Sequence, residues 1–466
     1  MDNKTIYALS TVLGKSGVAV IRISGSNALE VFSQMTDMAP ADVVDRKMYF
    51  LPIYGNVSRE TVDKIDSDNI HIQNAEMQRQ LLDKCMIVAF RAPHSFTGEN
   101  TVEINCHGSK AVIHSILESL SLLPDFRLAE AGEFSRRAFY NGKMDLTEAD
   151  GLADLIDAET SMQQKVALEQ MGGTLFSLYE NWRNQLVSIL SHIEAYIDFP
   201  DEDIPENTVQ ELENSVFKIK NDILNHITEN KIDERLREGF RVVIAGPTNA
   251  GKSSLINAIV RRNVAIVSDI AGTTRDVIES YVDLRGLPVI FSDTAGLRES
   301  DDAIEKIGIR LAQEKIATAD FKLFMFDASI DTPQIFTQYL DSENNYLLVA
   351  NKADKLTSSQ RKALIEQGCV LISAKNAENI SAVTDKIYDY FSAMLSQVPS
   401  GVITRQRYKE ALKECVENLD RFSLNKEIEL AAEDIRLACR AIGKITGRVE
   451  VDEILDKIFS SFCIGK

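Results

Sequence analysis

The sequence predicts a multidomain protein of α/β and all-α parts: an α/β domain at the N-terminus, then a discontinuous helical domain interrupted by a doubly wound, mostly parallel sheet. Three observations lead there. Strand and helix patterns alternate from 240 to about 395, the mark of a parallel sheet wrapped by helices. Apolar stripes at helical spacing lie on both sides of that region. Ahead of them, residues 1 to about 120 mix short apolar runs with Gly and Asn punctuation. A chain of 466 residues exceeds one ordinary core. The expected domains are 1–120, 121–235, 236–398 and 399–466, the second and last being two parts of the helical domain.

In the first domain, Gly17 to Ser24 (GVAVIRIS) and Cys85 to Ala89 read as strands, while the polar segment 58–80 reads as a loop or insertion. Arg22 sits inside an otherwise apolar strand. It is either an edge-strand arginine facing solvent or an anion ligand on a rigid element. Leu175, Leu178, Trp182, Leu186, Ile189, Ile193 and Ile197 then fall three or four apart, one face of a long amphipathic helix. Gly172-Gly173 precedes it, and Pro200 with Asp201-Glu202-Asp203 stops it. A second, polar helix over about 206–235 leads into the sheet region. Its expected strands are Val242–Ala245, Val289–Asp293, Lys322–Asp327, Leu347–Asn351 and Val370–Ser373. Beyond 400, Ala411, Leu412, Cys415, Leu419 and Phe422 form one helical stripe; Ile454, Leu455, Ile458 and Phe459 form another.

Hydrophobic content of 44% and charged content of 26% describe a globular chain. The net charge of −19 argues against a surface coated with basic nucleic-acid contacts. No apolar run approaches a membrane span, and MDNKTIYALS is neither a signal nor a transit peptide. A cytoplasmic protein is expected. The six cysteines are scattered without a Cys-x-x-Cys pair, as in a reducing compartment. Cys106-His107 with His114 lacks a fourth ligand at zinc spacing.

The chemistry concentrates at Arg241–Lys252, RVVIAGPTNAGK, followed by Ser253 and Ser254. A β-branched run ends at Gly246. Gly246, Gly251, Lys252 and Ser253 complete Gly-x-x-x-x-Gly-Lys-Ser, and Leu255, Ile256 and Ile259 follow at helical spacing. Strand, glycine loop and helix N-terminus make a phosphate cradle of loop N–H groups and helix dipole, with Lys252 adding charge. The stretch Asn249, Ala250, Gly251, Lys252, Ser253, Ser254 is expected on the phosphates, with Ser253 reaching Mg²⁺. Asp293-Thr294-Ala295-Gly296 ends a strand; an Asp there reaches the magnesium shell through water and the Gly N–H meets the γ-phosphate. Asn351-Lys352-Ala353-Asp354 ends a later strand. The Asp354 carboxylate matches both N–H groups on guanine's Watson–Crick edge and repels adenine's ring nitrogen. Asn351 and Lys352 would brace the loop and stack over the base, and Ser373-Ala374-Lys375 would close the pocket with backbone N–H groups. The nucleotide is GTP. Ras-like proteins place a water-orienting glutamine after Asp-x-x-Gly; here Leu297 stands there, so another residue must act. Segment 299–306 (ESDDAIEK) offers candidates, Glu305 among them. Thr274 is a second magnesium ligand by type, and Asn249 offers an amide oxygen that with backbone carbonyls could hold a monovalent cation.

These residues resemble the MnmE/TrmE family, GTPases of tRNA wobble-uridine modification. The resemblance runs over nearly the whole chain: GPTNAGKSS, IVSDIAGTTRDV and DTAGLRESDDAIEKIGI centrally; GVAVIRISG, HSFTGENTVEINCHG and EFSRRAFYNGKMDLTEADGLADLIDA before them; YIDFPDEDIP in the helical part; and FSSFCIGK at the end. Thr248 stands where the family commonly has proline, and TVLGKSG lacks its usual double proline. The resemblance implies an N-terminal folate-binding and dimerisation domain and an inserted Ras-like P-loop G domain. It implies K⁺ held by Asn249, Ser268, Ile270 and Thr273, Mg²⁺ held by Ser253 and Thr274, and GTP contacts from Ser268 and Thr273. It makes Glu305, with Lys252, the catalytic residue of a dimerisation-activated GTP hydrolase (an acid-anhydride hydrolase). It further implies 5-formyl- or 5,10-methylene-tetrahydrofolate at Arg22, Glu103, Lys143 and Lys466, with Arg22 on the acidic tail and Glu103 on pterin N–H groups. Cys463 is a candidate functional thiol. Partners would be a second copy, an FAD-dependent protein in a heterotetramer, and tRNA, with a carboxymethylaminomethyl-type group added at C5. The G-domain motifs alone also permit a potassium-dependent ribosome-assembly switch that modifies nothing. A third reading is a folate-dependent methyltransferase-like enzyme with a regulatory G domain.

Overall fold

The structure is a computed structural model that describes residues 3–56, 79–198, 206–229, 233–262, 264–266, 279–293, 314–339, 345–396 and 405–449, with 455, 458–460, 462 and 465 from the C-terminal stretch. The chain divides into two compact units, residues 1–150 with 447–466, and residues 151–446.

The first unit runs β1 (Thr5–Leu9), β2 (Ser16–Ser24), α1 (Glu30–Met35), β3 (Met48–Asn56), β4 (Arg79–Phe90), β5 (Thr101–Gly108), α2 (Lys110–Ser121), β6 (Phe126–Leu128) and α3 (Glu133–Tyr140). Its six described strands form one sheet in the order β3-β4-β5-β2-β1-β6. The two-residue period of a strand sorts the side chains. Val102, Ile104 and Cys106 of β5 are buried, whereas Glu103, Asn105 and His107 take the other face. On β2, Ile21 and Ile23 go inward and Arg22 lies opposite Glu103 in register. Helix α2 starts at Ser109, whose hydroxyl accepts from the Val112 N–H, the preferred N-cap contact.

Two expected boundaries change. The first domain does not stop at 120, because β6 pairs in parallel with β1, Thr5 lying opposite Phe126; the unit continues to Asp150. The last 20 residues (447–466) do not belong with the second helical part; they fold with the N-terminal unit. Phe459 packs against Phe139, the Ser10 hydroxyl donates to the Gly465 carbonyl at 3.0 Å, and a Cβ at Gly447 would meet the Phe139 ring. The expected stripe there is apolar because it covers this unit: Leu455, Ile458 and Phe459 are buried.

The unit division falls within α4 (Leu146–Asp157). The second unit continues with α5 (Ser161–Met171), α6 (Thr174–Asp198), α7 (Glu206–Glu229) and α8 (Asp233–Glu238). Helix α6 buries Leu175, Tyr179, Trp182, Leu186, Ile189 and Ile193. Leu178 and Ile197 flank this stripe half-buried, since Tyr179, a position the spacing argument passed over, takes the centre. The sheet part follows: β7 (Phe240–Ala245), α9 (Lys252–Arg262), β8 (Val264–Ile266), β9 (Glu279–Leu284), β10 (Leu287–Asp293), β11 (Phe321–Asp327), β12 (Tyr346–Asn351), α10 (Ser358–Glu366), β13 (Val370–Leu371) and α11 (Ile380–Leu395). Then come α12 (Gln406–Arg421) and α13 (Ile428–Thr446), which share one hydrophobic core with α6 and α7. The helical domain is therefore discontinuous in sequence and continuous in space.

The described strands of this sheet run β13-β12-β11-β7-β10-β9-β8. From β13 to β10 all neighbours are parallel, and β7 lies between β11 and β10. Strands β8 and β9 are antiparallel additions at the β10 edge that the spacing argument missed. Arg285 and Gly286, both at positive φ (56° and 93°), make the turn between β9 and β10; an Arg-Gly pair between apolar runs is a weak hairpin signal. Among the described residues no helix is long and apolar enough to cross a membrane.

Candidate functional site

In an open parallel sheet, ligands gather beyond the carboxyl ends of the central strands. Here β7, β10, β11 and β12 end in Ala245, Asp293, Asp327 and Asn351. The loop after β7 needs its glycines for space. A Cβ at Gly246 would lie 1.9 Å from the Met325 carbonyl oxygen, and one at Gly251 (φ 100°) would lie 2.3 Å from Asn351 Nδ2. Asn249 also takes positive φ (67°), a conformation asparagine tolerates better than most residues. The loop wraps back so that α9 begins at Lys252. Lys252 Nζ donates to the Gly246 and Pro247 carbonyls at 3.1 and 3.3 Å and lies 3.9 Å from Asp293 Oδ1. Burial lowers its pKa, with Asp293 opposing the shift. Ser253 Oγ donates to Asp293 Oδ2 at 2.9 Å. Asp293 Oδ1 is buried and accepts no hydrogen bond among the described residues. A serine hydroxyl beside a carboxylate with an unused oxygen is a fitting donor set for Mg²⁺.

The opposite wall comes from β12 and the segment after β13. Asn351 Nδ2 donates to the Ala250 carbonyl at 2.6 Å, and its Oδ1 accepts from the Ala374 N–H at 3.0 Å. One amide thus ties the phosphate loop to the segment Ser373-Ala374-Lys375. Lys352 takes positive φ (59°), and its ammonium donates to Asp327 Oδ2 at 2.6 Å. Ser373 Oγ donates to Asp354 Oδ1 at 2.7 Å, and that bond, chiefly, lowers the Asp354 pKa. Between these walls lies a cleft of about 660 Å³ lined by Asn249, Gly251, Lys252, Ser253, Ser254, Asn351, Lys352, Asp354, Ser373, Ala374 and Lys375 among others. Ala250 is buried behind it. Asp327 was not singled out from the sequence, although an Asp closing an apolar strand is the same signal that marked Asp293.

Ser268, Ile270, Thr273, Thr274, Thr294, Ala295, Gly296, Leu297 and Glu305 lie outside the described residues, as do Cys463 and Lys466.

In the first unit, Arg22 Nε donates to Glu103 Oε1 at 3.0 Å. The guanidinium carbon lies 5.3 Å from the Phe96 ring centroid and 5.8 Å from that of Phe134. Arg22 is therefore a half-buried, ion-paired and ring-flanked group, not an arginine facing open solvent. The loop carrying Phe96 is held from beneath: Arg137, 3% exposed, pairs with Glu99 at 3.1 Å and with Glu133 at 3.0 Å, while Ser24 Oγ donates to Glu99 Oε2. Burial would raise the Glu133 pKa, but hydrogen bonds from Arg127, Glu130 N–H and Arg137 lower it. Asn141 Nδ2 donates to the Thr97 carbonyl, and a Cβ at Gly98 would come 3.3 Å from Lys143 Cε, so Lys143 lies beside the same loop. Phe96, Phe134 and the Arg137 network carried no periodic or spacing signal.

Comparison with known proteins matches residues 146–463 to the MnmE helical domain and residues 5–143 to the GTP-binding protein TrmE N-terminus. The chain belongs to the MnmE/TrmE family. Relatives described as tRNA modification GTPase MnmE are 43% identical over 466 residues in Rickettsia typhi and 44% identical over 467 residues in Rickettsia canadensis. Both alignments cover 99% of this chain and 100% of the relative. Era from Aquifex aeolicus, bound to GDP·AlF4⁻, is 25% identical with a TM-score of 0.27, covering 38% of this chain and 66% of that one; so low a score adds nothing to the family assignment. Family membership extends over the N-terminal and helical parts, where a ribosome-assembly switch gives no reason to expect it.

Proposed function

We propose that this chain is a potassium-stimulated, dimerisation-activated GTPase that, with an FAD-dependent partner, modifies the wobble uridine of tRNA with a folate as one-carbon source. The observation that carries the reading is a cleft in which a buried lysine, a serine bonded to Asp293 and an exposed carboxylate converge. Their separation of roles fits GTP. Lys252 and the loop N–H groups hold the phosphates, and Asp354 takes the guanine edge while Ser373 orients its carboxylate. Asn351 keeps both halves of the pocket in one geometry. Ser253 and Thr274, with Asp293 behind Ser253, would hold Mg²⁺. When bound, Mg²⁺ and K⁺ neutralise charge developing on the transferred phosphoryl group. Asn249, with Ser268, Ile270 and Thr273, forms the proposed K⁺ set, and Glu305 orients the attacking water where Leu297 has no group to do so.

In the N-terminal unit, Arg22 and Glu103 with Lys143 and Lys466 form the proposed folate site. The Arg22–Glu103 pair and its flanking rings support it: they offer charge, a hydrogen-bonding edge and flat apolar surface together. GTP turnover drives conformational change, while carbon transfer belongs to the folate and flavin chemistry. The test is nucleoside mass spectrometry of tRNA wobble positions in cells lacking the protein. Loss of the aminomethyl-type group is expected; normal wobble nucleosides would overturn the reading.

A further inference from the structure

The guanine wall contains a carboxylate that the nucleotide motifs do not account for. Asp327 is the last residue of β11 and lies in register beside Asn351 on β12. It is 6% exposed. Its two oxygens have separate work: Oδ1 accepts from Ser329 N–H at 3.0 Å and Ser329 Oγ at 2.6 Å, while Oδ2 accepts only the Lys352 ammonium, at 2.6 Å, among the contacts described. Lys352 follows Asn351 directly, holds a positive φ, and lines the cleft beside Asp354.

We propose that Asp327 is a positioning residue for guanine-nucleotide binding, fixing the Lys352 side chain in the cleft before the base arrives. The inference rests on the reading that Asp354 and Lys352 receive guanine. A lysine side chain has large rotamer freedom, and ordering it on binding weakens affinity. Here the ammonium is already held by a carboxylate that a serine turn keeps rigid, so the methylene stem lies ready to cover the base. Burial would raise the Asp327 pKa, but the Lys352 and Ser329 hydrogen bonds outweigh it and hold the carboxylate ionised. Consecutive motif residues are thereby braced in different directions, Asn351 to the phosphate loop and Lys352 to the neighbouring strand.

The test is a double-mutant cycle on the full-length chain, with GDP affinity read by isothermal titration calorimetry and folding checked by thermal melts. Asp327→Asn and Lys352→Met should each weaken GDP roughly tenfold, the scale of one ordered lysine side chain. The double variant should be no weaker than the worse single variant. Unchanged affinity in Asp327→Asn, or losses that simply add, would overturn the proposal. Ser329→Ala removes one turn bond and leaves the ion pair; GDP affinity within twofold of the unsubstituted chain is expected, and a loss equal to that of Asp327→Asn would make the turn the cause instead. Should Asp327→Asn not fold, Asp327→Ser, which likewise removes the carboxylate, takes its place in the cycle with the same coupling to Lys352→Met expected. Asp354→Ala separates the two readings. If it leaves GDP affinity intact, the guanine reading of the cleft fails; if it weakens GDP while the Asp327 variants do not, only this inference fails.

Discussion

The nucleotide cleft and the Arg22 site are built by opposite means. The cleft takes its shape from main chain: strand ends, and glycines whose missing Cβ atoms leave room for Met325 and Asn351. The Arg22 site is mostly side chain: a cross-strand ion pair, two rings, and a buried Arg–Glu network holding the loop that supplies one of them. Main-chain sites need contiguous residues with fixed glycine spacing. Side-chain sites gather residues from wherever the fold brings them, here positions 22, 96, 103 and 134. The first kind tolerates little change in shape, and the second tolerates shape changes but not loss of charge.

Four substitutions break or sharpen this contrast. Glu305→Ala should have the largest effect, lowering GTP turnover by roughly 10³-fold or more, the scale of completing a GTPase site with a missing group. GTP affinity should hold, since the cleft binds without it; single-turnover hydrolysis with a parallel titration checks both. KCl should likewise give much faster turnover than NaCl in the unsubstituted chain, and equal rates would remove the cation role of Asn249. Asp354→Asn comes next. Losing the carboxylate proposed to pair with two guanine N–H groups should cost GTP roughly 10²-fold or more, at about 1.5–3 kcal/mol per charged hydrogen bond. Xanthine nucleotides, which carry an acceptor where guanine has its amino group, should gain, and competition binding measures the ratio.

Gly246→Ala tests the main-chain character of the cleft. A methyl group 1.9 Å from the Met325 carbonyl oxygen should destabilise the sheet part by on the order of 3 kcal/mol and weaken every nucleotide alike, as thermal melts with and without GDP would show. Unchanged stability would mean that the loop has slack. Arg22→Ala should have the smallest effect on the whole molecule: folate affinity falls roughly tenfold to a hundredfold, on the scale of one or two charged hydrogen bonds, while GTP turnover stays unchanged. Unaltered folate binding, measured by fluorescence titration, would remove Arg22 from that site and leave its pairing with Glu103 structural.

Legibility followed the same divide. The loop from Gly246 to Ser253 could be read residue by residue because its chemistry depends on local sequence spacing, and α9 starts where that spacing put it. Strands β7, β10, β11, β12 and β13 were found because parallel strands buried on both faces are short apolar runs. Strand β8 escaped because its three residues, Val264–Ile266, are too short a run to stand out; β9 escaped because ESYVDL mixes charged and apolar residues, and the Arg285-Gly286 turn is a weak mark. Arg22 was readable only as an oddity in an apolar strand. That it meets Glu103 depends on the β2–β5 register, which links positions 81 residues apart.

By itself the sequence determined what is local: a glycine loop between a strand and a helix, a sheet interrupting helices, and the family to which these belong. It could do so because a helix period, a strand period and a glycine requirement are all set by near neighbours along the chain. Tertiary structure decided what is long-range. It joined 447–466 to the N-terminal unit through Gly465 and Phe459, merged the two helical halves into one core, and set Asp327 against Lys352. Each of those outcomes depends on which surfaces find complementary apolar area or opposite charge after the chain folds back on itself, and no spacing along the sequence encodes that.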